Sequence, residues 1–449
     1  MIRSPLTTGP FLTIWLDRLA LAATLLCPIF LLHGRGVAEA LIDFTAIAFL
    51  IRSALTRDWS WLRQGWVGIA GVWWIWLVIC SLPVAELGQG GQGSFVQALA
   101  TIRFLVFPAA LQSWTLRRPS HRKALGWVVA GSFCYIALQL LLQAVAGVNL
   151  FGQPRFHDGT LTGPYDKPRA AAPLSRLLFP TLLPASAWLM QRGRAGAAGA
   201  LAILLGGLAI MVLAGQRMPL LLTGLGLVVA GLMLRRLRGP LLVCLALVPV
   251  LVAGSAIVSP RSFGHLVVLF EHQMSHFGGS PYGQIYARAL VMAKAEPWTG
   301  RGFDGFRSGC PDPAYFHGLP PLSDALSDGG GAGFCVQHAH NHYLQALTDG
   351  GIPGLLLFSL MVLGWLMALA QRREPGAAAN GDTGSAVMQA WRAGLFVAVL
   401  IQEWPIASAS AFTNMPLGGW FFLLLGLGLA AGQPYMQGRQ PYMQGRERG

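Results

Sequence analysis

The sequence predicts an all-α polytopic integral membrane protein of about 12 transmembrane helices, with one large external loop between spans 9 and 10. Three observations carry this reading. Of the 449 residues 54% are hydrophobic and only 11% are charged, too few to cover the surface of a soluble protein of this size. Apolar runs long enough to cross about 30 Å of hydrocarbon recur along the chain. The basic residues, which set a net charge of +14, recur in the loops between alternate runs instead of forming one patch. That spacing is the positive-inside pattern and argues against nucleic acid as a partner.

The runs lie near residues 12–32, 37–55, 65–85, 95–116, 124–146, 171–190, 195–215, 218–235 and 239–259, a membrane domain over 1–259. Three more, near 351–371, 385–407 and 415–432, form a second membrane part over 351–432. Arg52, Arg57 and Arg63 mark one cytoplasmic loop, and Arg117, Arg118, Arg122 and Lys123 the next. Arg192 and Arg194, then Arg235, Arg236 and Arg238, then Arg372 and Arg373 mark the others. Both termini are then cytoplasmic, and residues 260–350 form an external loop with short helices. No small-x-small site closes the first run after Arg3, so it reads as a retained span. The tail repeats Gln-Pro-Tyr-Met-Gln-Gly-Arg at 433–439 and 440–446 and reads as disordered over 433–449.

Four of the cysteines lie inside apolar runs; Cys310 and Cys335 are the two in the external segment. A disulfide between them would close a loop of about 25 residues and add roughly 3 kcal/mol. Two free thiols are the alternative.

Polar groups gather in and around the external segment. Arg103 sits within the fourth run, where a charge must face the protein interior or find a local partner. Arg155, Lys167 and Arg169 lie in the loop 147–170, on the side where the charge rule disfavours them. Arg217 follows Gly215-Gln216 in an otherwise apolar turn. Arg288 falls on a helix expected from Gln284 to Glu296 and projecting at the membrane surface, and another helix is expected near His265 to His276. Gly300-Arg301-Gly302-Phe303-Asp304-Gly305 matches a dinucleotide fingerprint in letters only. It follows a helix, lies outside the cytoplasm and belongs to no βαβ unit, so it reads as a tight turn. Glu403, near the outer end of its run, is a candidate partner for one of the external arginines.

The densest cluster is His338-Ala339-His340-Asn341-His342. The spacing predicts a short helix from about Asn341 to Asp349, with Leu344 and Leu347 on one face, broken by Gly350 and Gly351 before Pro353 opens the next helix. A histidine before a helix start is biased towards the neutral imidazole, which can act as a base. Three alternating histidines also invite a metal, but no cysteine or carboxylate cluster completes a familiar ligand set. Arginines suit a diphosphate, because the guanidinium fork matches its oxygens and stays charged. With a histidine base, the combination fits group transfer from a lipid diphosphate.

His340-Asn341, nine residues, and Gly351-Ile352-Pro353-Gly354 resemble the H-[NSQ]-x9-G-x-x-G signature of bacterial O-antigen ligases and related polymerases. The segment from Arg288 through Pro297 to Phe303, the turn Gly215-Gln216-Arg217 and Thr162-Gly163-Pro164-Tyr165 are similar to further stretches of that superfamily. The resemblance implies a GT-C-type glycosyltransferase of lipopolysaccharide biosynthesis in the bacterial inner membrane. It implies ligation of O-antigen from undecaprenyl diphosphate onto the lipid A core, inverting, with no cofactor or metal. His340, or else His338, would be the base, with Arg288 beside it. Arg217, Arg288, Arg301, Lys167, Arg169 and Arg103 would hold the diphosphate, and Gly351, Gly354, Cys310 and Cys335 would be structural. A polymerase or a protein (pilin) O-oligosaccharyltransferase of the same superfamily shares the donor and differs in acceptor. A membrane transporter is the more distant alternative, against which no inverted repeat is visible.

Overall fold

The computed structural model describes residues 9–84, 87–319, 333, 335–371, 383–408 and 412–433, and every apolar run of the sequence falls on helix in it. Helices α1 (Gly9–His33), α2 (Arg35–Thr56) and α3 (Gly65–Cys80) come first. The fourth run is broken into α4 (Gly91–Ala100), α5 (Ile102–Ala110) and a π turn over Leu111–Thr115, and α6 (Pro119–Ala146) follows. Next are α7 (Ala171–Leu189), α8 (Gly193–Leu213), α9 (Arg217–Met233) and α10 (Arg238–Val258). The hydrophilic segment holds α11 (Pro260–Phe263), α12 (Leu269–Ser275), α13 (Pro281–Ala295) and α14 (Gly305–Gly309). The chain re-enters the bundle with α15 (His342–Ala370), α16 (Thr383–Gln402) and α17 (Met415–Ala431).

Among the described residues 7 segments are long and apolar enough to cross a membrane, and α3, α9 and α17 are shorter apolar helices. One of those segments, Ala171–Leu213, is α7 and α8 turned back on each other at Gly193, whose φ is 73°. Arg372 and Arg373, and the tail beyond Gln433, lie outside the described residues.

Lipid tails are as apolar as leucine, so helix association in a membrane rests on close packing, and small residues set the closest approaches. A Cβ on Gly394 of α16 would lie 2.6 Å from the Phe179 carbonyl oxygen of α7, and one on Gly226 of α9 would lie 2.2 Å from the Phe179 ring. α17 is buried from Gly418 to Ala430. Above it Phe412 gathers Phe358, Phe421 and Phe422 at ring-centroid separations of 5.4, 5.9 and 5.1 Å.

The polar loops meet at one end of this bundle. The Phe303 amide donates to Ser81 Oγ just after α3 (2.8 Å), and Trp76 Nε1 donates to the Gly350 carbonyl (2.8 Å). The Leu161 amide donates to Ala214 O (3.3 Å), and Arg217 Nε to His265 O (2.8 Å). The turn after α3, the strap 147–170, the α8–α9 turn and the described parts of the 260–350 segment therefore share one face. The turns bearing Arg52 to Arg63 and Arg117 to Lys123, at the far ends of α3 and α6, lie at the other.

Candidate active site

Asn341 begins the histidine helix as its sequence position predicts. In extended conformation, its side chain accepts from the amides of Tyr343 (2.9 Å) and Leu344 (3.0 Å), two donors that a helix start leaves unpaired. His340, immediately before, is held at a φ of 54°, an uncommon conformation for a non-glycine residue. The break also falls where expected, at Gly351, with φ 65° and ψ −163° inside α15. The buried face of the first turns is not the leucine face. His342, Gln345, Ala346 and Asp349 point inward, while Leu344 and Leu347 are only half-buried and Leu344 packs on the α13 side of the cap.

The glycine-rich turn is the bracket that joins this helix to the cap. Arg301 N donates to Thr348 O (2.8 Å), Gly302 N to Asp349 O (3.0 Å) and Ile352 N to Pro297 O (2.8 Å). The Asp349 carboxylate accepts from Gly305 N (2.9 Å) and from Gln345 Nε2 (2.8 Å), and Gln345 Oε1 accepts from Ala339 N (3.0 Å). A continuous chain of bonds thus runs from the turn to the backbone between His338 and His340. Gly300 (φ 59°) has no room for a side chain: its Cβ would lie 2.6 Å from Thr348 O. These glycines serve backbone contact, as the turn reading requires.

The three histidines part company in space. His338 and His340 stack with ring centroids 4.4 Å apart, and the edge of Tyr282 meets His340 at 5.5 Å. Burial pushes the pKa of His338 down to about 4, and the neighbouring His340 and His342 push the same way. Burial lowers the pKa of His340 as well, which favours a neutral imidazole. His342 instead turns into the bundle, where Nδ1 meets Glu403 Oε2 at 2.9 Å and the two side chains are 4% and 0% exposed. This corrects the expectation that Glu403 pairs with an external arginine. Tyr343 Oη donates to Glu403 O (2.8 Å) and Asn341 Nδ2 to Pro405 O (2.7 Å), so the end of α16 clamps the motif. Among the described residues no group of three or more His, Cys, Asp or Glu is placed to hold a metal ion.

The arginines divide likewise. Arg288 does not project at the membrane surface; it is buried in the cap, donating to Cys310 O (3.0 Å), 3.3 Å from Cys335 Sγ and over the Phe316 ring. Cys310 and Cys335 are disulfide-bonded, their Cα atoms 5.6 Å apart. Helix α13 starts earlier than expected, at Pro281, because Ser280 caps it by accepting from Gly283 N (3.1 Å). The helix expected near His265 to His276 is α12 preceded by a π turn over Gly264–Val268. Arg301 is buried too, donating to Tyr315 Oη, and Gly309 leaves space for its guanidinium.

Arg103 lies between Glu39 Oε1 (2.6 Å) and Asp43 Oδ2 (3.0 Å), which neutralise it locally. Arg217 donates to His265 O and to Gln273 Oε1 (2.5 Å). It stands on the rim of a cavity of about 390 Å³ whose other walls are apolar, among them Leu220, Leu245, Val252 and Phe270. Lys167 and Arg169 are exposed on the strap beside it, where Gln216 donates to Pro168 O.

Sequence reasoning missed the Glu403 clamp, the Asp349–Gln345 relay and the place of Tyr282. Glu403 gave a signal, a lone carboxylate at the end of an apolar run. Gln345 and Asp349, an i, i+4 polar pair just before the Gly break, gave another.

The described helices form the bundle of a multi-pass membrane protein, with the histidine motif, Arg217, Arg288 and Arg301 at one end as a candidate site. Residues 182–359 match the family model described as O-Antigen ligase, so this stretch of the chain is similar to the O-antigen ligase/polymerase superfamily, a glycosyltransferase-like group. The matched stretch takes in Arg217, Arg288, Arg301 and the whole histidine motif. No curated protein matches the chain.

Proposed function

We propose that this protein ligates O-antigen polysaccharide from undecaprenyl diphosphate onto the lipid A core oligosaccharide at the periplasmic face of the bacterial inner membrane. In this reading the chain crosses the membrane about 12 times with both termini cytoplasmic. The observation that carries the chemistry is Arg217 on the rim of the apolar cavity, at the same end of the bundle as His340. A lipid diphosphate has that two-part character, an apolar chain ending in a charged head.

The reaction follows from the two halves. His340, kept neutral by burial, takes the proton of the acceptor hydroxyl as its oxygen attacks the anomeric carbon from the face opposite the diphosphate. The carbon–oxygen bond to phosphate breaks, its electron pair leaves with the lipid diphosphate, and the anomeric centre inverts. The leaving group gains one negative charge and needs no proton. Arg217, supported by Lys167 and Arg169, stabilises that charge, and Arg288 and Arg301 add positive potential from inside the cap. Arg103, already matched by two carboxylates, takes the smallest part. His338 stacks on the base, and His342 anchors it through Glu403.

Purified protein supplied with the lipid-linked glycan and lipid A core should form the conjugate with chelator present. Longer glycans from the donor alone, without conjugate, would establish the polymerase reading instead.

A further inference from the structure

Tyr282 is the second residue of α13, and 39% of it is exposed beside the histidine motif. Its ring meets His340 edge-on at 5.5 Å and an interplanar angle of 74°, and Tyr286, one turn on, backs it at 6.4 Å. On its other side it lies within electrostatic range of the Arg217 guanidinium. The link is structural: α12, whose Gln273 accepts from Arg217, runs through a single 3-10 turn (Phe277–Gly279) into the cap of α13. Tyr282 is thus in ring contact with the imidazole and near the arginine on the cavity rim. Its hydroxyl makes no hydrogen bond to another described residue.

We propose that Tyr282 is a further catalytic residue of the transfer site, its phenol O–H donating to a diphosphate oxygen of the donor while its ring holds the His340 imidazole in place. The inference rests on the lipid-diphosphate reading above. The acceptor O–H gives its proton to His340, the new bond forms at the anomeric carbon, and the old carbon–oxygen electron pair moves onto the diphosphate. The phenol keeps its proton throughout and donates more strongly as that oxygen gains charge. A donor aimed at charge that develops only in the transition state raises kcat more than it tightens ground-state binding. Beside the base, a neutral donor serves the diphosphate without raising the cost of protonating His340, as a further cation there would.

The test is steady-state transfer with the lipid-linked glycan, together with binding of undecaprenyl diphosphate alone in detergent micelles. Tyr282→Phe keeps the ring and removes the donor. It should lower kcat about 10- to 100-fold, the range for a hydrogen bond to a charged group, with KM for the lipid A core unchanged. It should also weaken undecaprenyl diphosphate binding about 10-fold. His340→Ala should abolish transfer and leave that binding intact. Tyr282→Phe with wild-type kcat and wild-type affinity would overturn the proposal while leaving the ligase reading standing. Wild-type protein that neither binds undecaprenyl diphosphate nor transfers would overturn both. A Tyr282→Phe loss seen only as a raised KM for lipid A core would place the phenol on the acceptor and also refute the assignment.

Discussion

Glu403→Ala should be among the most damaging single substitutions in the protein, although the residue lies outside the family-matched stretch. Its carboxylate meets His342 Nδ1 at 2.9 Å with both side chains almost wholly buried, and Arg176 lies within electrostatic range on α7. Removing one partner from a buried, hydrogen-bonded pair costs about 3–5 kcal/mol, because the remaining polar group is left without compensation. Glu403→Ala strands two groups, His342 and Arg176, whereas His342→Phe leaves Glu403 with Arg176 still near. The glutamate variant should therefore be the less stable of the two. Apolar replacement of both partners removes the orphaned group, so Glu403→Leu with His342→Phe should cost less than the sum of the singles by about 1–3 kcal/mol. Reversible unfolding in mixed micelles, run as a double-mutant cycle, measures this. Strictly additive costs, or a Glu403→Ala variant as stable as wild type, would refute the clamp.

Other outcomes follow from the same geometry. Because burial lowers the pKa of His340 below 6.5, transfer should stay constant down to about pH 6.5 and decline only at more acid pH, as a kcat/KM–pH profile will read. The same sign governs stability. Below pH 6.5 the unfolded chain binds protons that folded His338 resists until about 4, so acid should destabilise the protein progressively across that interval, measurable by unfolding at fixed pH values. Gly351→Ala should cost at least about 1–3 kcal/mol from its backbone conformation alone. Its Cβ would also lie 2.5 Å from Trp298 backbone atoms, while Gly354→Ala, 3.0 Å from Ala346 O, should be milder. Arg103→Gln should lower stability by orphaning Glu39 and Asp43 and leave KM for the donor near wild type; a large rise in donor KM would restore Arg103 to the diphosphate site.

Much of this was legible in the chain because it is local. The apolar runs, the cap at Asn341, the break at Gly350-Gly351 and the turn from Gly300 to Gly305 depend on residues a few positions apart, and each stands where its chemistry predicts. Partners far apart in sequence were not legible. Glu403 had several plausible cations and took His342 across 61 positions, because α15 and α16 pack side by side. Arg288 looked exposed from the spacing on its own helix; the cap that buries it is closed by a disulfide between residues that follow. Leu344 and Leu347 do share one face, but the spacing did not say what covers the other: the polar side of that helix meets the Gly-rich turn and the bundle while Leu344 meets the cap. For Arg103 the sequence left open the protein interior or a local partner, and Glu39 and Asp43 on α2 supply a pairing that periodicity alone does not reveal.

The claim on which the account turns is that His340 is the base in transfer from a lipid diphosphate to the lipid A core. Purified wild type and His340→Ala, each with lipid-linked O-antigen, lipid A core and a chelator, test it in one experiment. The account predicts conjugate from wild type and none from His340→Ala, with both proteins folded and both binding undecaprenyl diphosphate. Conjugate formed at the wild-type rate by His340→Ala would contradict it.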